Sequence, residues 1–173
     1  MIYCFGSYSG ANFNPAVSLA LTLSGKMKWE VMILYWTAQF LGGIVAAALV
    51  TYMLGRASGI GASVGSLTFS NPWAAFLLEG LLTFIVVLTV FIVSSKPWLV
   101  PMNGIILGSI VIFATLTFGP LTGGSTNPAR SLGPAIFSDN LPTYWIYLFG
   151  PLLGGILGSL FIKLGPLGKV QHY

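Results

Sequence analysis

Apolar residues gather into four long runs separated by short polar gaps, and that spacing predicts four membrane-spanning helices. Trp29 to Leu54 carries one acid, Glu30, at its edge, and at ~1.5 Å per residue it is longer than the ~30 Å hydrocarbon core. Pro72 to Ser95 is a second run, opened by a proline where a helix start tolerates one. Pro101 to Phe118 is a third, slightly short. Thr143 to Leu164 is a fourth, with Tyr144, Trp145 and Tyr147 near its start as in an aromatic belt. Lys96-Pro97-Trp98 reads as a turn at the membrane surface, and the Gly/Ser-rich stretch from Gly55 to Asn71 as an exposed loop.

Two further apolar pieces are too short to span. Asn14 to Leu23 and Asn127 to Phe137 would each make about 15 to 17 Å of helix, half a bilayer. Both begin Asn-Pro-Ala, as Asn14-Pro15-Ala16 and Asn127-Pro128-Ala129. Asn is a strong helix N-cap and Pro suits the first helical position, so each tripeptide reads as a helix start. Each follows a segment that reads as irregular, Gly6-Ser7-Tyr8-Ser9-Gly10 and Gly119-Pro120-Leu121-Thr122-Gly123-Gly124-Ser125. Irregular backbone at membrane depth is tolerated only where protein or a water-filled cavity covers it. Counting crossings, the two half-helices enter from opposite sides and are expected to meet N-terminus to N-terminus at the midplane. One Asn-Pro-Ala alone is ordinarily a helix cap; two that enter oppositely point to a transport site between inverted repeats.

Composition agrees with the pattern. Of 173 residues, 55% are hydrophobic and 6% charged, against about 25% charged in soluble domains, so the chain reads as an integral, multi-pass membrane protein. The net charge of +4 does not call for a nucleic-acid partner. Lys26, Lys28, Lys96, Lys163 and Lys169 all fall in gaps or near span ends that alternate crossing puts on one side, which the positive-inside tendency makes cytoplasmic, with the C-terminus. Arg56 and Asp139 fall on the other. The single Cys4 and the absence of a Cys/His cluster leave no metal or cofactor expected. The Met1 to Gly6 stretch does not have the layout of a signal peptide.

Few residues can carry chemistry at the expected midplane. Two facing helix N-termini would put roughly +0.5 charge each there, disfavouring cations including hydronium. Asn14 and Asn127 would add amide donors that hold a water by its oxygen and interrupt proton transfer. Arg130, inside an apolar half-helix, is costly unless it faces a polar cavity; a pore-lining role is the reading, with neutralisation by Glu79 as the alternative. Glu79 has no partner suited to acid-base work, so its expected role is to accept hydrogen bonds from the irregular segment before Asn127, with Gln39 serving the other half. Small residues recur four apart at Gly150, Gly154 and Gly158, at Gly104 and Gly108, and at Gly42 with Ala46 and Gly43 with Ala47. They predict close helix packing. Gly61-Ala62-Ser63-Val64-Gly65 matches a hydrolase nucleophile pattern, but it falls in the expected loop and the one histidine, His172, is in the tail. No enzyme is expected.

These residues resemble the aquaporin, or major intrinsic protein, family. Ser9 to Val17 is similar to its first pore loop and Gly123 to Ser131 to its second. The resemblance implies an all-α, aquaporin-like inverted-repeat bundle with two re-entrant half-helices, homotetrameric assembly and a pore in each protomer. Asn14, Pro15, Ala16, Asn127, Pro128 and Ala129 would form its constriction, and Thr115, Gly124 and Arg130 its selectivity filter. Ser131 and Ala135 fit the water-type pattern, since glycerol-type members usually carry an acid after the Arg. Leu148 and Thr115 replace bulkier residues of narrow filters, and Asn12 stands where the first loop often has His.

One domain is expected: an incomplete first repeat with its loop at 1–71, a second repeat at 72–164 and a tail at 165–173. Against the family, the first span and most of the second are absent, so a fragment, a misplaced start or a natural truncation are the expectations for the sequence as it stands. The implied function is a passive water channel in a cell or plasma membrane, with glycerol, urea or ammonia as further candidate solutes and exclusion of protons and ions. The alternative is a non-conducting or regulatory subunit that assembles with full-length relatives. Secondary active transport is a weaker third reading.

Overall fold

The computed structural model describes residues 1–56 and 61–165. Lys169 and His172 lie outside the described residues. Among the described residues eight α-helices follow in order: α1 (Ile2–Ser9), α2 (Pro15–Leu23), α3 (Trp29–Leu54), α4 (Ser66–Ser70), α5 (Pro72–Ser94), α6 (Asn103–Thr122), α7 (Pro128–Phe137) and α8 (Tyr144–Leu164). Single 3-10 turns at Val100–Met102 and Leu141–Thr143 lead into α6 and α8. Among the described residues, four helices are long and apolar enough to cross a membrane. The half-helices α2 and α7 have 9 and 10 residues.

Three boundaries differ from the sequence expectation. The first lead-in is not irregular from Gly6: α1 continues to Ser9 and stops at Gly10, whose φ of 67° puts it in the left-handed region. Nothing before Gly10 deprives the helix of a hydrogen bond, and an isolated glycine costs only about 1 kcal/mol. Similarly, α6 runs past Phe118 and through Pro120 to Thr122. A proline removes one N–H but leaves the following turn free to close, and here Gly123 N–H donates to Gly119 O at 2.7 Å. The irregular stretch before the second Asn-Pro-Ala therefore shortens to Gly123–Thr126. Last, the Gly55 to Asn71 connection is not simply an exposed loop. Residues 57–60 lie outside the described residues, but Ser63 and Thr68 are buried and α4 forms a turn of helix. Thr68 Oγ1 takes the Gly65 N–H at 2.9 Å and bonds Tyr147 Oη at 2.7 Å, while Tyr147 donates to Thr122 O at 2.8 Å. Polar side chains thus stitch this connection to α8 and to the end of α6.

The spans divide by burial. Helices α5 and α8 form the centre and touch backbone to backbone: a Cβ added at Gly150 would lie 2.8 Å from Phe76 O, and one at Gly154 would run into Gly80 O. Gly158 instead seats the Val87 side chain. Of the other expected small-residue faces, Gly43 with Ala47 packs closely against α7, and the rest behave differently. Gly104 lies under the Tyr3 ring, and Gly42 and Gly108 have open space beside them. Val17, Ala20, Val86, Val87, Phe91 and Ile162 make the main apolar cluster, with a second at Ala75, Ile146 and Tyr147. Helices α3 and α6 bury little and expose Leu34, Leu41, Leu49, Ile105, Ile112 and Leu116. Such faces are costly in water and neutral in hydrocarbon. The protein is an integral, multi-pass membrane protein.

Each half-helix packs against a span from the other half of the chain, α2 on α8 and α7 on α3. The contact is made by the alanine of each tripeptide: Ala16 O lies 2.7 Å from where a Cβ on Gly155 would sit, and Ala129 O closer still to that of Gly43. Glycine at those two positions is what admits the half-helix backbone.

Candidate functional site

The site begins with two capped helix starts. Asn14 and Asn127 are both extended, with φ, ψ of −136°, 117° and −148°, 109°. Asn14 Oδ1 accepts from Ala16 N at 2.9 Å. Asn127 Oδ1 accepts from Ala129 N at 3.1 Å and Arg130 N at 3.2 Å. Pro15 and Pro128 are fully buried at the first helical position, where their missing N–H costs nothing. Each proline carbonyl receives an aromatic donor, Trp36 Nε1 at 3.0 Å for Pro15 and Tyr144 Oη at 3.1 Å for Pro128.

The side-chain amides cross between the two segments. Asn14 Nδ2 donates to Thr126 O at 2.8 Å, and Asn127 Nδ2 donates to Phe13 O at 2.9 Å. The two half-helix N-termini are thereby held face to face. An amide nitrogen has two hydrogens, so each asparagine keeps one donor beyond the cross-link. Thr126 has φ of 52°, an outlying conformation for a β-branched residue that costs of order 1–3 kcal/mol. It is held by hydrogen bonds on both sides of its Cα.

Two span residues tie the lead-in segments down. Glu79 on α5 is fully buried. Its Oε1 accepts from Thr122 Oγ1 at 2.8 Å and Ser125 N at 2.9 Å, and its Oε2 from Thr126 N at 2.7 Å. Gln39 on α3 donates from Nε2 to Asn12 O at 2.8 Å and to Ser18 Oγ at 2.9 Å, while its Oε1 is buried without a partner.

Asn14, Asn127, Thr115, Gly124 and Arg130 surround one cavity of about 730 Å³. Its apolar lining includes Val17, Leu21, Val86, Val90, Leu107 and Val111. Gly124 has φ of 56°, and a Cβ there would lie 3.0 Å from Thr115 Cα, so these two positions sit against each other. Arg130 Nη1 donates to Ser63 Oγ rather than pairing with Glu79, whose oxygens are directed at the loop. Pro15, Ala16, Pro128, Ala129, Glu79 and Gln39 are absent from the cavity wall and support it from behind. Leu148 is also off the wall. Among the described residues no three His, Cys, Asp or Glu side chains gather as a metal site. The polar side of the cavity is rich in donors and carries the positive ends of two helix dipoles, which favours neutral, oxygen-bearing solutes over cations.

Sequence reasoning missed Ser63 and Thr126. Ser63 belongs to the segment read as exposed loop, and a lone serine among glycines carries no periodic signal. Thr126 is part of the second motif, but only coordinates reveal a positive φ.

Fold and site together define a helical membrane bundle of inverted repeats, with two half-helices opposed at its centre. The family described as Major intrinsic protein matches residues 1–162, and the chain belongs to that family. It is 36% identical over 161 residues to Aquaporin NIP2-2 of Zea mays, covering 92% of this chain and 53% of the relative. It is 38% identical over 159 residues to Aquaporin TIP2-3 of Arabidopsis thaliana, covering 88% and 61%. The chain therefore spans about half the length of the curated relatives it matches. The X-ray structure of the aquaglyceroporin from Plasmodium falciparum superposes with a TM-score of 0.78 at 26% identity, covering 96% of this chain and 78% of that one.

Proposed function

We propose that the protein is a passive channel for water that excludes protons and ions, with glycerol, urea and ammonia as the small neutral solutes to test beside water. The reading rests on one observation, the reciprocal cross-bonding of Asn14 and Asn127, which leaves one amide donor from each beside the cavity. In this reading the two Asn-Pro-Ala segments are the constriction and Thr115, Gly124 and Arg130 the filter. A water there accepts two hydrogen bonds on its oxygen, and the helix dipoles raise the energy of hydronium at the same point. Residues 1–71 and 72–164 act as the two repeats, and the working unit is a homotetramer. Names of the relatives support the substrate class: two are aquaporins and one structure is an aquaglyceroporin.

The lysine-bearing side is proposed to be cytoplasmic, in the cell or plasma membrane. Lys26 Nζ lies 5.0 Å from the Phe91 ring, which groups the gap before α3 with the end of α5 that leads to Lys96, as the positive-inside tendency requires.

Stopped-flow light scattering on proteoliposomes of the full chain tests the proposal. Osmotic shrinkage several-fold faster than in protein-free vesicles, with no matching proton flux to an entrapped pH dye, is expected. Shrinkage at the bare-lipid rate with folded protein in the bilayer would overturn it.

A further inference from the structure

Ser63 is buried, at 5% exposure, and its hydroxyl bonds α7 rather than its own loop. Ser63 Oγ accepts from Arg130 Nη1 and lies 2.6 Å from Ser131 Oγ. Ser131 Oγ also bonds Ser125 Oγ. Ser125 Oγ donates to Asn127 O at 3.0 Å and accepts from Asn127 N at 3.3 Å. Each hydroxyl has one proton, so the direction of the whole series follows by counting. Ser125 gives its proton to Asn127 O, so Ser131 donates to Ser125, and Ser63 donates to Ser131. The order cannot reverse, because a guanidinium has no lone pair to accept with and a carbonyl no proton to donate.

We propose that Ser63 is the positioning residue for the Arg130 guanidinium, the first member of a one-way hydroxyl series that ties Arg130 to the backbone of Asn127 and so sets which solutes pass the opening. This rests on Arg130 acting as a filter residue. A hydroxyl is needed at position 63, since the group there must accept from a cation and donate onward at once. Removing it leaves a guanidinium N–H without its acceptor and Ser131 without its donor. The planar fork of Arg130, with five N–H donors, is then free to swing across the cavity it borders.

The test uses the full chain in proteoliposomes, with Ser63→Ala, Ser63→Thr and Ser131→Ala. Phenylglyoxal modification of Arg130, read by peptide mass spectrometry against Arg56 as internal reference, reports the freedom of the guanidinium whether or not the chain conducts. The ratio of urea to water permeability reports selectivity. Ser63→Ala is expected to raise the Arg130 labelling rate about fivefold or more and to shift the permeability ratio about threefold or more. Ser63→Thr, which can both accept and donate, is expected to stay within about twofold of wild type on both. Should Ser63→Ala fail to fold, Ser131→Ala interrupts the series one step away and is expected to raise labelling as well. Wild-type labelling in both alanine variants overturns the proposal, as does an equal effect of Ala and Thr at position 63. A wild-type chain that conducts nothing removes the channel reading alone, and labelling then still decides the role of Ser63.

Discussion

At the first Asn-Pro-Ala, the span gives hydrogen bonds to the lead-in segment and to the half-helix: Gln39, a neutral amide, donates to Asn12 O and Ser18 Oγ and leaves its own Oε1 unpaired. Before the second, the span takes them: Glu79, fully buried, accepts from two backbone amides and one hydroxyl. The tripeptides themselves are alike in proline position and cross-bond, and each Asn caps its own helix, Asn127 with one bond more than Asn14. Their difference teaches that the motif specifies a helix start, whereas the strength with which that start is held at the centre of the bundle is decided elsewhere. A buried carboxylate with three donors loses far more when one atom changes than an amide that is already imperfectly satisfied. The Asn127 segment, which also carries Arg130, is accordingly the more firmly held of the two.

The largest expected effect is at Glu79. Glu79→Gln keeps shape and volume but replaces one acceptor oxygen with an NH2 group that must face the Thr126 or Ser125 N–H. Two donors then oppose each other in a buried site, a loss of about 2–4 kcal/mol. Thermal unfolding in detergent should show a lower midpoint, and proteoliposomes of this variant should lose most of their proposed water permeability. A midpoint unchanged from wild type would mean that the carboxylate does not hold the segment and that the contrast with Gln39 is only apparent.

How far these features were legible in the sequence follows from the kind of signal each left. Hydropathy located the spans, with Trp29–Leu54 as its clearest case, because lipid imposes a long apolar run whatever the neighbours do. The half-helices were legible from Asn-Pro-Ala and their length. Glu79 stood out because no other acid lies in the interior of a span, Glu30 being at the edge of its own. Pro120 misled, since proline reads as a stop while a helix that has a partner for the next N–H runs on. Gly42 and Gly108 misled too, as spacing reveals a smooth face but not what lies against it. Ser63 could not be found, because its partners come from a distant part of the chain and nothing about a loop serine announces a guanidinium.

A smaller effect separates the two caps. Asn127→Ala loses two capping bonds and the bond to Phe13 O, whereas Asn14→Ala loses one cap and the bond to Thr126 O. Cap loss costs about 1 kcal/mol and each further hydrogen bond about 1 kcal/mol. Asn127→Ala should therefore destabilise by about 2–3 kcal/mol and Asn14→Ala by about 1–2 kcal/mol in matched unfolding curves. Both should reduce water permeability, since each removes a donor from the cavity. The reverse order of stability would place the firmer anchor on the first half-helix.

The smallest effect is expected at Gln39, and it sharpens the comparison most. Gln39→Met conserves volume and fills the same space with a flexible apolar chain. It removes two donated bonds, each worth about 1 kcal/mol or less within a membrane bundle. It also removes the buried Oε1, whose desolvation is uncompensated and costs about 1–3 kcal/mol. These contributions oppose each other, so the net change should stay within about 1 kcal/mol of wild type, and the unfolding midpoint should barely move. Gln39→Glu should do worse than Gln39→Met, because a carboxylate there meets the Asn12 carbonyl, an acceptor, where Glu79 meets backbone N–H donors. If Gln39→Met were as damaging as Glu79→Gln, the two ties would be equivalent and the asymmetry between the half-helices would have to lie in the caps alone.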